Sequence, residues 1–397
     1  MQQNSGITFP ILDSSGTATS TVVDFATMFA PQSAFTSTNL MACGYNSYGQ
    51  LGDGTIVNKS SPVQVGSLTN WKQVACGQSH TAAVKTDGTL WTCGYNLYGQ
   101  LGDGTIVNKS SPVQVGSLTN WKQVAGGYKH TAAVKTDGTL WTFGYNSYGG
   151  LGDGTVAAKS SPVQVGSLTN WKQVACGYYH TAAVKTDGTL WTFGVNGRGQ
   201  LGDGTVAAKS SPVQVGTLTN WKQVAGGYYH TAAVKTDGTL WTCGYNSYGQ
   251  LGDGTIVNKS SPVQVGSLTN WKQVAGGYKH TAAVKTDGTL WTCGYNLYGQ
   301  LGDGTIVNKS SPVQVGSLTN WKQVAGGFYH TAAVKTDGTL WAFGHNGKGQ
   351  LGDGTIVNKS SPVQVGSLTN WKQVAGGFYH TAAVLSPEVN SYSIVGM

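Results

Sequence analysis

Glutamate is almost missing from this chain of 397 residues; Glu388 is the sole copy. Charged residues make up only 10%, against ~25% in average usage. No run of Ala, Leu, Lys and Glu builds a long helix, which argues against an all-α or coiled-coil protein. No apolar stretch approaches the ~18 residues needed to span a bilayer as a helix. Residues 1–34 show no basic start followed by an apolar core, so no classical secretory signal is visible. The six cysteines show no CxxC or CxxH spacing, so neither disulfides nor a zinc site is expected. No Gly-x-Ser-x-Gly element appears either. Disorder is excluded by 13 Trp and 19 Tyr, which supply ample apolar area.

What is present in excess is glycine, 59 residues, arranged with a strict period. The block Trp-Lys-Gln-Val-Ala starts at Trp71, Trp121, Trp171, Trp221, Trp271, Trp321 and Trp371, a spacing of 50 residues. Residues 44–93 and 244–293 differ only at positions 76, 78 and 79. The block Lys-Thr-Asp-Gly-Thr-Leu-Trp recurs six times, from Lys85 to Lys335. Its seventh copy is replaced at the N-terminus by Asn39-Leu40-Met41-Ala42-Cys43-Gly44.

Each unit reads as four short strands. The first is Trp71–Cys76, the second His80–Lys85 and the third Thr89–Cys93. The fourth corresponds to Pro62–Val65 of the preceding unit. Asp87-Gly88 marks a tight turn between the second and third. Seven units of four strands predict an all-β, seven-bladed β-propeller. Its last blade takes two strands from residues 371–385 and two from residues 39–65. That splice removes the open seam that would leave strand edges unpaired. The expected organisation is an N-terminal flexible or attachment segment (1–38), the propeller (39–385) and a C-terminal tail (386–397). Within the first segment Ser14–Thr21 reads as flexible chain, and Val22–Ala30 as a short apolar stretch suited to anchoring.

Three short motifs recur in each unit. They are Gly44-Tyr45-Asn46-Ser47-Tyr48-Gly49-Gln50-Leu51-Gly52-Asp53-Gly54-Thr55, then Ser61-Pro62-Val63, then Gly77-Gln78-Ser79-His80-Thr81. This pattern resembles the repeat of the regulator-of-chromosome-condensation family, over residues 39–385, in the style of bacterial and phage members. The resemblance implies a seven-bladed propeller. It also implies an interaction protein: the family includes an exchange factor for a small GTPase that binds chromatin, and inhibitors of β-lactamases. The exchange factor carries irregular blade insertions, and this chain has none.

The charges follow the repeat. Of the 16 acids, all but Asp13, Asp24 and Glu388 precede a glycine in a repeated turn, where Asp bonds the turn backbone and Gly accepts positive φ. No pair of carboxylates is left for general acid–base chemistry, and no spaced set of acids for calcium. An enzyme is therefore not expected, nor a cofactor or a metal. Lys59, Lys72, Lys85 and their copies account for all the cations except Lys129, Arg198, Lys279 and Lys348. The net charge is +8, but lysines spread by symmetry and a single Arg do not suggest specific nucleic-acid readout. His80 and its copies are expected to bond backbone. The slot shared by Cys43, Cys93, Cys243, Cys293 and Phe143 is expected to be buried. Some Ser-Pro bonds are candidates for cis.

The units differ mainly in two loops, between strands one and two and between strands three and four. In an up-and-down blade both loops emerge on one face. The candidate binding residues there are Tyr48, Tyr98, Tyr128, Lys129, Tyr178, Tyr179, Arg198, Tyr228, Tyr229, Tyr278, Lys279, Phe328, Tyr329, His345, Lys348, Phe378 and Tyr379. Tyrosine gives large contact area at low entropic cost. The expectation is a non-catalytic binding or scaffold ring. It would recognise a protein or cell-surface glycan, as a virion or cell-surface component joined to a larger assembly through residues 1–38. The alternatives are a protein inhibitor or GTPase regulator, and a purely structural assembly protein.

Overall fold

The computed structural model describes residues 8–12, 18–22 and 38–387. Seven four-stranded antiparallel sheets form the ring. One blade is typical: Trp71–Cys76, His80–Lys85, Leu90–Gly94 and Lys109–Gln114, hydrogen-bonded in that order. The closing blade orders Trp371–Gly376, His380–Leu385, Leu40–Gly44 and Lys59–Gln64, which is the splice expected from the displaced repeat. No helix of the structure is long and apolar enough to cross a membrane.

Two strand boundaries move. The fourth strand begins at Lys59, not Pro62, because Gly44 pairs with Lys59 across a bulge. The Ser60 carbonyl also accepts from Gly354 of the neighbouring unit at 2.9 Å. Pro62 therefore sits inside the strand. It is tolerated there because this strand is the outer edge of its sheet and needs no second ladder. The third strand starts at Leu90 rather than Thr89. Every described peptide bond is trans, including the Ser-Pro bonds whose isomer the sequence left open.

The Asp-Gly turn forms as its chemistry dictates. Asp87 Oδ1 accepts from Thr89 N at 2.9 Å and from Thr89 Oγ1 at 2.6 Å, while Gly88 takes φ +79°.

The core lies between consecutive blades rather than inside one. Ala182, Val184 and Leu190 of one blade pack against Val215, Trp221, Val224 and Ala233. Trp71, Trp121 and Trp321 are all but fully buried. Burying an indole of roughly 200 Å² contributes about 5 kcal/mol gross, so the repeated tryptophan is the main apolar cement between neighbours. The Cys/Phe slot is buried as expected, and all six cysteines are free.

Apart from the ring, Thr8–Leu12 and Ala18–Val22 pair as an antiparallel two-stranded sheet. Ala18–Thr21 is thus strand where the composition suggested loose chain. The rest of the proposed attachment segment, including most of Val22–Ala30, lies outside the described residues, as does most of the 386–397 tail.

Candidate functional site

The first strand of each blade lines the central channel with Val74, Ala75, Cys76 and their copies. Gln73 on this strand turns its amide to the next blade. Its Nε2 donates to the Val124 carbonyl at 2.9 Å, and its Oε1 accepts from Val124 N at 2.8 Å. The pattern repeats around the ring and closes through Gln373 and Val74.

Directly outward lies a second ring. His80 Nε2 meets Thr131 Oγ1 at 2.9 Å, and Thr131 Oγ1 donates to the Gln100 carbonyl at 2.8 Å. Since the hydroxyl proton is committed to the carbonyl, His80 donates from Nε2. Seven such pairs close through His380 and Thr81. The histidines therefore bond a neighbouring threonine hydroxyl, not backbone as expected. Burial, with some help from neighbouring histidines, pushes the His80 pKa down to about 3, and burial alone takes His230 to about 4. They are neutral structural groups. Each rests on a glycine: a Cβ at Gly77 would overlap the His80 ring.

These rings hold the loop between strands one and two. Its backbone runs from blade to blade: Gln78 N donates to Gly127 O at 3.1 Å, and Phe378 N donates to Gln78 O at 3.2 Å. One mouth of the channel is thereby fenced by Gln78, Tyr128, Tyr178, Tyr228, Tyr278, Phe328 and Phe378. Neighbouring rings touch, with Tyr178–Tyr228 centroids 3.7 Å apart and Tyr278–Phe328 stacked at 3.8 Å. The mouth is an aromatic plug, and its members are half-buried against one another rather than displayed singly.

Around the plug, the variable positions of the loop between strands three and four form a belt. Tyr48 packs on Tyr95 at 4.9 Å, Tyr98 on Tyr145 at 5.1 Å, and Tyr248 on Tyr295 at 5.0 Å. Where the repeat replaces the donor tyrosine, a cation keeps the contact. Arg198 lies 5.5 Å from the Tyr245 ring and Lys348 5.8 Å from Tyr45. Tyr179 joins plug to belt through Tyr178 at 4.0 Å and Tyr145 at 4.7 Å. Lys129 stands 4.5 Å over Tyr98, and Lys279 4.4 Å over Tyr248. His345 sits between Tyr298 and Tyr379, at 4.9 and 5.6 Å, with Gln350 Nε2 donating to its Nδ1 at 2.6 Å. The remaining candidates, Tyr229 and Tyr329, belong to the same surface. The structure thus brings the predicted residues together on one face. It adds Tyr148, Tyr248 and Tyr298, together with Tyr45, Tyr95, Tyr145, Tyr245 and Tyr295, none of them among the candidates from sequence.

Three of the half-buried phenols, Tyr128, Tyr179 and Tyr228, stay protonated. Burial, reinforced by neighbouring tyrosines, raises Tyr128 to about 12 and pushes Tyr179 and Tyr228 well beyond the ordinary tyrosine range. The face therefore offers donors and apolar rings, with four cations. Its carboxylates are occupied. Burial pushes Asp53 up, but bonds from Thr55 and Asn46 and the Lys59 charge 3.6 Å away outweigh it and hold the group below its usual range. Cys76 and Cys176 border the mouth, but burial drives both thiols to about 12. Among the described residues no three His, Cys, Asp or Glu side chains gather as a metal site.

The family described as RCC1-like domain matches residues 39–383. Human WBSCR16 is 24% identical, with a TM-score of 0.80 over 89% of this chain and 100% of its own. Prp20p from Saccharomyces cerevisiae, solved in a study of its binding to Gsp1p and histones, is 20% identical. Its TM-score is 0.79 over 90% of this chain and 93% of its own. Yeast Prp20 in complex with Kap60 gives a TM-score of 0.81 at 20% identity, over 90% of each chain. No curated protein sequence is matched.

Proposed function

We propose, because this chain belongs to the RCC1-like domain family, that it is a non-catalytic binding ring whose plug-and-belt face docks a protein or a surface glycan. One observation carries this reading. Most of the positions at which the repeats differ pack into one continuous aromatic and cationic surface on one side of the ring. Aromatic residues and Arg are the usual anchors of binding hot spots. The face is pre-organised by the glutamine and histidine rings beneath it, so little entropy is lost on docking. The setting that suits a symmetric ring of near-identical units is a bacterial or phage surface, where several weak contacts add. Residues 1–38 would supply the attachment.

The fold likeness to Prp20p keeps a protein inhibitor or GTPase-regulator role as the second reading. Replacing Tyr178, Tyr179, Tyr228 and Tyr229 together by alanine should abolish partner binding while circular dichroism remains that of the folded ring. A tight complex with one purified protein, insensitive to added glycans, would favour the second reading. Unchanged affinity in the variant would remove the face from both.

A further inference from the structure

The loop joining one blade to the next has two conformations, although its sequence is the same at six boundaries and differs only by Thr217 for Ser at the seventh. Residues 66–70 and 266–270 are both Gly-Ser-Leu-Thr-Asn. In the first, Leu68 packs against the core, the Trp71 indole N–H donates to the Leu68 carbonyl at 2.9 Å, and Asn70 takes φ +66°. In the second, Leu268 is 46% exposed, and Trp271 Nε1 and Asn270 Oδ1 have no partner although both are buried. The other five blade boundaries share this open state: each has an exposed leucine, an unpartnered indole nitrogen and an unpartnered asparagine oxygen.

The two states part at the turn that the loop faces, where Thr38-Asn39 stands in place of the Gly-Thr of the other units. Trp271 N donates to Gly238 O, while Trp71 N donates to Thr38 O, so Thr38 stands where the other blades have glycine. A Cβ at Gly238 would overlap the Thr269 carbonyl. With a threonine in that place the loop takes the other path and closes.

Opening changes what lies between the blades. Beside Trp71 the remaining space is about 10 Å³. Beside Trp221 it is about 230 Å³, bounded by Trp221, Trp241, Leu218, Pro262, Asp203 and Ser261. Beside Trp271 an equivalent cavity of about 220 Å³ is bounded by the same residue types. Trp221 is 2% exposed, its indole N–H is unsatisfied, and such a group costs about 1–3 kcal/mol until it finds an acceptor. The cavity is smaller than the ~300 Å³ at which drug-sized sites begin, so it fits one ring. It carries no free charge, because Asp203 accepts from Asn196 and Thr205 and faces Lys209 at 3.7 Å. Indole and leucine surface, bordered by a carboxylate, a hydroxyl and glycine backbone, matches a neutral ring with one apolar side and a polar edge.

We propose that the open cavities beside Trp221 and Trp271 each bind a single pyranose ring. The lid is the loop 216–220 at one and 266–270 at the other, and the first boundary is shut by Thr38. These sites are separate from the plug-and-belt face and do not depend on it, since that face contains no tryptophan.

The test uses the full chain labelled with 5-fluorotryptophan, each resonance assigned by substitution, and fluorine NMR. The probes are methyl α-glucoside, methyl α-mannoside, methyl β-galactoside and N-acetylglucosamine. The expected result is a saturable shift of the Trp221, Trp241, Trp271 and Trp291 resonances with at least one sugar, while Trp71 and Trp91 stay in place. In Thr38→Gly, which releases the first lid, Trp71 and Trp91 should join the response. Leu268→Ala, a change at an exposed side chain, should alter the titration of Trp271 and Trp291 and leave that of Trp221 and Trp241 unchanged. No shift with any of the four sugars would overturn the proposal. So would a shift produced only by proline-rich or aromatic peptides, or a wild-type response in which Trp71 moves with the rest.

Discussion

At the scale of single residues, blade-to-blade adhesion depends on polar groups that are satisfied only by a neighbour. The Gln223 amide closes on both backbone groups of Val274 at 3.0 Å. Leaving such groups unpaired costs about 1–3 kcal/mol each, so Gln223→Leu should lower stability by about 2 kcal/mol or more in urea denaturation. An unchanged midpoint would show that water replaces the bridge. The histidines give a pH dependence whose sign is fixed. Their folded pKa values of about 3 to 4 lie below the ordinary 6.5. The unfolded chain thus takes up protons that the folded ring refuses. Stability is complete above about pH 6.5 and declines as the pH falls towards 4. Each histidine contributes a slope of about 1.4 kcal/mol per pH unit in that window. Urea midpoints measured from neutral pH down to about pH 5 should fall steeply; a flat profile would mean that the imidazoles accept protons in place. Neither ring was legible in the sequence. Near-identical repeats make Gln73 and Thr81 look no different from any other invariant position, and the partner of each lies 51 residues away or across the closure.

At the scale of elements, the turns were legible because their chemistry is local. Asp-Gly fixes the second-to-third connection within two residues. The start of the fourth strand was not, because Lys59 is drawn into it by the bulge at Gly44 and by Gly354 of another unit. The long loop between the third and fourth strands reads Ile256-Val257-Asn258 in one unit and Val156-Ala157-Ala158 in another, and the structure gives this difference a meaning. Asn258 Oδ1 accepts from Asn246 N at 2.8 Å, whereas Ala158 and Ala208 have no such group. Asn258→Ala should therefore be tolerated, at a cost of about 1 kcal/mol, and should leave the far-UV spectrum of the ring intact. Loss of fold in this variant would mean that the loop depends on the asparagine in some blades and not in others. The predicted face was legible for a related reason. Alternation of strand direction places two loops on one side whatever the side chains are. That the aromatics pack on each other, and that cations stand in for missing rings at Arg198 and Lys348, depends on distances between blades that no local pattern encodes.

At the scale of the whole molecule, the ring is closed by strands from opposite ends of the chain, and each interface repeats the last. Stability then depends on completing the circle more than on where the chain is cut. A permutant joining residue 38 to residue 385 through a short linker, with new termini in the exposed loop 216–220, should fold and melt close to the parent. Failure to fold would show that the existing closure is special.

Repetition also sets the functional asymmetry. Seven exposed lysines, Lys72 and its copies, surround the ring on the inner strands, at the end away from the plug. That end is uniform, whereas the plug-and-belt face is varied. The most direct measurement is binding of fluorescently labelled ring to intact bacterial cells and a glycan array, comparing two variants of equal thermal stability. One replaces Tyr178, Tyr179, Tyr228 and Tyr229 by alanine. The other replaces Lys172, Lys222 and Lys272 by alanine. The expected result is saturable binding by the parent, kept by the lysine variant and lost by the tyrosine variant. Binding that survives in the tyrosine variant and disappears with the lysines would contradict recognition through the aromatic face.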